Sequence, residues 1–308
     1  MKPEKIFGSI EAGGTKFVCA VGTVASESPL PDAILESVTI PTETPEVTLA
    51  GVTDFLRRAG EKRGGLAALG VSSFGPIDVN KDSPTYGYIT TTPKPGWKNT
   101  AILGTLRKAL GVPVGFDTDV NGAALGEARW GAARGLSHVL YITVGTGIGG
   151  GVLVQGRPVH GLAHPEMGHI RVPHDFSRDP YPGSCPWHGD CLEGLANGPA
   201  LAQRAGKPAQ DISPNDLIWD IEADYLAAAA ANFILTLSPE IIIMGGGVMN
   251  TPGLIEKVRR GVTRLLNGYI AAEPLISRMD SYIVPPGLGS LSGVAGGFVL
   301  AEEALGGL

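Results

Sequence analysis

Two glycine-rich segments, Glu11-Ala12-Gly13-Gly14-Thr15-Lys16 and Gly145-Thr146-Gly147-Ile148-Gly149-Gly150, each join two apolar runs of strand length. The first lies between residues 6–11 and 16–21, the second between 138–144 and 152–155. A glycine hairpin with a Thr near its tip thus occurs twice, about 130 residues apart. An internal repeat of that length implies two related domains, each opened by the same hairpin.

The remaining pattern alternates strands and helices, which predicts α/β layers. Strands are expected at 34–40, 66–73, 112–116, 240–244 and 282–284. Helices are expected at 44–58, 100–110, 122–130, 191–205, 214–237, 252–266 and 292–305. Residues 81–98, rich in Thr, Pro and Gly, read as an irregular excursion, and residues 158–189 as a long loop. Alternation plus the repeated hairpin narrows the fold to a pair of ribonuclease-H-like domains, the actin/hexokinase superfold, with an interdomain cleft. The expected domains are 1–118, completed by a C-terminal helix at 293–308, and 119–292.

Net charge is −6, and basic residues form no long run, so the footprint of a nucleic-acid binder is absent. No apolar run reaches the length of a membrane span. The N-terminus enters an apolar strand without a signal-peptide pattern, so a cytoplasmic location is expected. An acidic chain can still hold an anionic nucleotide through backbone N–H groups and Mg²⁺.

The tip of a tight glycine turn gathers backbone N–H groups, and a Thr hydroxyl adds another donor. Gly13, Gly14, Thr15 and Lys16 form one such concavity, Thr146 and Gly147 the second, and both suit phosphate. Either alone could be an ordinary hairpin turn; the pair is harder to dismiss. Gly145, Gly147 and Gly150 also fit a dinucleotide-binding G-x-G-x-x-G, but that motif opens a helix, and Gly151-Val152-Leu153-Val154 reads as a strand. Gly245, Gly246 and Gly247 end a buried strand, where ligands of α/β sheets bind, and would admit a flat group such as adenine.

The run Phe116-Asp117-Thr118-Asp119-Val120-Asn121 lies between a strand and a helix. Phosphoryl transfer to a hydroxyl needs a group that accepts its proton, and Asp119 is the candidate base. The competing reading is that Asp119 or Asn121 merely caps the helix. Asp117 is the weaker candidate, serving Mg²⁺ or structure, and Glu11 could order Mg²⁺ through water.

His169, Cys185, His188 and Cys191 supply a nitrogen and sulfur set typical of Zn²⁺. His160, His164 and His174 are nearby and could replace one of the histidines. A Cys185–Cys191 disulfide is the rival, disfavoured in a reducing compartment. Four protein ligands leave no open position, so the metal reads as structural. Glu166 and Glu193 bracket this knuckle and are natural acceptors for sugar hydroxyls.

The segments EAGGTK, SSFGPID, TPKPGW, DTDVNGAALGE, YITVGTGIGGG, HPEMGH, CPWHGDCLEG and IIIMGGGVM run in order from residue 11 to residue 249. In this the chain resembles the ROK family (repressors, open reading frames and kinases), and within it the zinc-containing fructokinases. The resemblance implies ATP- and Mg²⁺-dependent phosphorylation of the 6-hydroxyl of D-fructose. It implies Asp119 as general base, Gly75, Pro76, Glu166, His169 and Glu193 at the sugar, and His169 also on zinc. It further implies Gly13, Thr15, Thr146 and Gly147 at phosphate, and Gly245 and Gly246 on the adenosine side. Most ROK kinases carry Asp where this chain has Glu11, and many carry Cys where it has His188; both departures point to the fructokinase branch.

Two other functions stay open at this level. One is a ROK kinase for glucose, mannose or an N-acetylhexosamine. The other is a non-enzymatic sugar-sensing regulator, against which stand Asp119 and the ten residues before Glu11, too few for a DNA-binding domain. The family habit and the apolar C-terminal helices favour a homodimer.

Overall fold

The computed structural model describes residues 5–24 and 30–306. The chain divides into two compact units: Met1–Gly135 with Gly156–Pro165 and Gly287–Leu308, and Leu136–Gln155 with Glu166–Pro286. The first division falls after Gly135 rather than after residue 118, because the helix Asp119–Trp130 packs on the C-terminal helix Ser292–Gly306 of the same unit.

In the first unit, β1 (Phe7–Ala12), β2 (Lys16–Gly22), β3 (Ile34–Pro41), β4 (Ala68–Ser73) and β5 (Val114–Thr118) form a sheet of order β3-β2-β1-β4-β5. β1 pairs antiparallel with β2 and parallel with β4, and β4 runs parallel to β5. This is the ribonuclease-H-like order that the repeat predicts. The helix Pro45–Glu61 covers one face; Thr44 caps it by accepting from Val47 N, and Pro45 sits where no N–H is needed. Below it, Phe17 and Phe74 pack on the buried Trp97 ring, whose indole N–H donates to Glu43 O at 2.8 Å. Trp97 thereby anchors the irregular stretch 81–98.

The helix Ser292–Gly306 covers the other face, and its small residues are its means of approach. A Cβ on Gly297 would lie 2.2 Å from Ser9 Oγ, and one on Gly296 would lie 1.8 Å from Gly122 O. Ser9 Oγ donates to Val294 O at 2.6 Å, which fixes the helix against β1. At its start, the buried Glu127 carboxylate accepts from Ala132 N and Ser292 Oγ at 2.7 Å, and from Gly287 N and Leu288 N at 3.0 Å.

In the second unit, β6 (Val139–Val144) and β7 (Ile148–Val154) form the second hairpin, Val144 opposite Ile148. β6 runs parallel to Ile241–Gly245, which runs parallel to Ile283–Val284. The arrangement β2-β1-β4-β5 of the first unit is thus repeated, with the glycine turn in the same place. The helices Ile218–Leu237 and Leu254–Leu266 pack together, with Gly261 against Ala227. The helix expected over 191–205 is two, Leu192–Ala196 and Gly198–Ala205, because Asn197 stops the first and caps the second through Ala200 N. Among the described residues, no helix is long and apolar enough to cross a membrane.

Candidate active site and metal centre

In the first unit, β5 extends to Thr118, and Asp119 is the first residue of its helix. The capping reading fails on this geometry. Thr118 is the cap, its Oγ1 accepting from Asn121 N at 3.1 Å. Asn121 is instead turned to Asp117, donating Nδ2–H to Oδ1 at 2.8 Å. Asp119 accepts from Val120 N through Oδ1 at 2.9 Å and is partly buried.

Burial pushes the Asp119 carboxyl up to about 6. Glu11, at the end of β1, is pushed up to about 7, by burial first and then by the Asp119 charge, against a smaller opposing effect of Lys16. Two acids in one partly desolvated place cannot both ionise at low cost. They leave a carboxylate that holds a proton weakly near neutrality, which is what a general base requires.

The first glycine turn closes with Gly13 N donating to Lys16 O at 2.9 Å, and Thr42 ties it down through Gly13 O and Thr15 O. Gly14, Thr15 and Lys16 are exposed at its tip. Gly75 and Pro76 follow β4 in a loop with firm partners. Thr90 donates both N–H and Oγ1–H to Pro76 O, and Asp78 accepts from Ser83 and Thr85 hydroxyls.

In the second unit, four segments meet at the second turn. Gly145 N donates to Gly147 O, and Gly198 N, at the start of its helix, donates to Gly145 O at 2.7 Å. Gly246 has φ of +94°, and a Cβ there would lie 2.3 Å from Val144 O, so only glycine fits. Glu193 Oε2 accepts from Ile148 N at 2.8 Å, which binds the helix after the Cys/His loop to the hairpin. That link joins residues 45 apart in sequence and left no local signal. Thr146 is exposed at the tip, and Gly245 and Gly247 flank Gly246.

The metal set is assembled. The ligand atoms of His169, Cys185, His188 and Cys191 lie within 4.8 Å of one another. His169 Nδ1 is 3.4 Å from Cys191 Sγ and 3.8 Å from Cys185 Sγ, and Cys185 Sγ is 3.5 Å from His188 Nδ1. Zinc bonds of about 2.0 Å to nitrogen and 2.3 Å to sulfur, arranged tetrahedrally, separate ligand atoms by roughly 3.3–3.8 Å, so the set fits. Cys185 and Cys191 are not disulfide-bonded. Cys185 and Gly189 exchange two backbone hydrogen bonds, a small loop that presents His188. Gly168 lies against Ile148 O, where a Cβ would come within 1.8 Å, and this seats His169. His169 Nε2 points toward Glu193 Oε1 at 3.9 Å, while Glu166 is exposed.

The spare histidines lie elsewhere. His174 is held by Asp190 and by Asp179 O, His164 by Ile77 N, and His160 by Asp117. The last two thus join the Gly75–Ile77 loop and the Asp117 carboxylate.

Known proteins are similar to the chain over nearly its whole length. A fructokinase of Pediococcus pentosaceus is 44% identical over 300 residues, 97% of this chain and 99% of its own. A fructokinase of Zymomonas mobilis is 44% identical over 305 residues, 98% of each chain. The crystal structure of a ROK hexokinase from Thermus thermophilus superposes with a TM-score of 0.78 at 27% identity, covering 98% of this chain and 100% of its own. The model of the ROK family matches residues 7–304. The chain belongs to the ROK family.

Proposed function

We propose that this protein is an ATP-dependent fructokinase, forming fructose 6-phosphate. The observation that carries the mechanism is Asp119, freed from capping and held weakly acidic by burial beside Glu11. As O6 of fructose attacks the γ-phosphorus, its proton passes to Asp119. The new O6–P bond forms, the bond to the β-phosphate oxygen breaks, and ADP leaves. Asp119 then returns its proton to solvent. The base works ionised, so turnover rises with pH through about 6.

Nucleotide phosphates are assigned to the turns at Gly13, Gly14, Thr15 and Lys16 and at Thr146 and Gly147, and adenosine to Gly245–Gly247. In the first unit, Gly75 and Pro76 are assigned to the sugar. In the second, Glu166, His169 and Glu193 are assigned to sugar hydroxyls. Mg²⁺ accompanies ATP and supplies charge neutralisation on the phosphates; Glu11 is the candidate to order its water. Zinc on His169, Cys185, His188 and Cys191 supplies a structural cross-link, and a filled four-ligand set keeps it out of the chemistry. A cytoplasmic location and a homodimer belong to the same reading; light scattering tests the second.

The decisive assay is coupled ADP release with fructose, glucose, mannose and N-acetylhexosamines. Fructose should give the highest kcat/KM. A preference for glucose overturns the assignment in favour of another ROK hexose kinase.

A further inference from the structure

The segment Gly156–Pro165 clusters with the first unit. Two histidines hold it there. His160 Nε2 lies 3.0 Å from Asp117 Oδ2 and 3.2 Å from Oδ1. His164 is buried, and its Nε2 accepts from Ile77 N at 3.0 Å. Its ring also lies 3.6 Å from the place a Cβ on Gly75 would occupy. One histidine thus touches the residue two before Asp119, and the other the residue after Pro76.

The two contacts demand opposite chemistry. Asp117 already accepts from Thr118 N and Asn121 Nδ2, so its carboxylate is an acceptor and His160 Nε2 must carry a proton. His164 Nε2 must lack one. With Nε2 accepting from Ile77 N, the neutral ring carries its proton on Nδ1. The surroundings agree. The bond to Asp117 raises His160, against burial and the nearby Lys81. Burial, the largest effect, lowers His164, helped by His160 and opposed by Asp117 and by the Pro165 and Ile77 backbone. From the C-terminal helix, Glu303 approaches Asp117, Lys81 and Arg157, and burial raises its carboxyl.

We infer that Gly156–Pro165 is a histidine-pinned strap, and that His160 and His164 are positioning residues that set the Asp117–Asp119 turn and the Gly75–Ile77 loop for the sugar. This rests on the roles proposed above for Asp119 and for Gly75 and Pro76. Asp117 fixes Thr118 and Asn121 on either side of the base, so its orientation sets that of Asp119. The Ile77 amide follows directly on Pro76, so releasing it loosens the loop beside the sugar. Protonating His164 turns its acceptor into a donor facing an N–H, and the strap lets go on the acid side.

His164→Phe removes the acceptor, and His164→Gln restores one through its amide oxygen. His164→Phe should raise KM for fructose about 5- to 150-fold, the range for a buried amide left unpaired. KM for ATP should stay within about twofold, and the Gln variant should recover most of the fructose affinity. In the unaltered enzyme, KM for fructose should climb on acidification; in His164→Gln this climb should vanish while the rise of kcat through about 6 persists. His160→Phe should lower kcat more than it changes either KM. Equal loss for both substrates without rescue by Gln, or an unchanged fructose KM in His164→Phe, overturns the strap. Histidine-ring NMR titration reads it without any substrate: His160 should titrate at higher pH than His164, and the reverse order also overturns it. If the unaltered protein phosphorylates no hexose, the proposed function falls, and the titration still decides the strap.

Discussion

Asp119→Asn separates catalysis from stability at a single oxygen. Asn keeps an Oδ1 that can accept from Val120 N, and Thr118 still caps the helix, so the fold should persist. Loss of the base should lower kcat by about 10²–10⁴-fold with little change in either KM. Stability should move the other way. Folding raises the Asp119 carboxyl from 3.8 to about 6, so the folded state favours its protonated form. The resulting cost sets in as pH climbs above 3.8 and is complete above about 6. At 1.36 kcal/mol per pH unit it is at most about 3 kcal/mol, reduced by the partial solvent access of the site. Asn never ionises and escapes that cost. Thermal melting should therefore show the variant higher in apparent Tm by about 2–6 °C at pH 7.5, with the gain fading toward pH 4. Glu11, relieved of its neighbour's charge, should titrate below about 7. Near-normal turnover removes Asp119 from the chemistry. A Tm that falls at pH 7.5 refutes the desolvated acid pair.

Further outcomes follow from the other centres. Metal analysis should find about one zinc per chain, and Cys185→Ser should lose it together with thermal stability, since metal affinity is folding free energy; a fully stable, metal-free protein counts against the site. Glu127→Ala should cost at least about 3 kcal/mol, because three N–H groups and the Ser292 hydroxyl lose their acceptor. Denaturant melts measure this, and a loss below about 1 kcal/mol contradicts the account. Gly246→Ala places a Cβ against Val144 at a positive φ and should weaken ATP binding, or yield, before it alters fructose KM in the soluble fraction; an ATP KM within twofold of normal detaches Gly246 from the nucleotide.

Much of this was legible in the residues because it is local or repeated. The hairpins announced themselves by composition, and their recurrence carried the topology of both sheets. The knuckle was legible because Cys and His at short spacing have few other uses. Three features were not. Thr118 as the cap, which frees Asp119, depends on β5 running two residues past its apolar run. His160 and His164 looked like spare zinc ligands because sequence proximity to His169 says nothing about which unit a loop joins. The bond from Glu193 to Ile148 N depends on the packing of the knuckle, which no periodicity encodes.

The glycine face of the helix Ser292–Gly306 has a consequence for how the protein is made. The N-terminal sheet emerges first from the ribosome, yet Phe7, Ala20 and Ala68 wait for Val294, Ala295, Phe298 and Ala301 to cover them. The second unit, drawn from residues 136–286, has its last strand, Ile283–Val284, before that covering helix begins at Ser292. Biosynthesis therefore completes the middle of the chain before its beginning, and a nascent protein stalled short of its last turns exposes the underside of its oldest sheet.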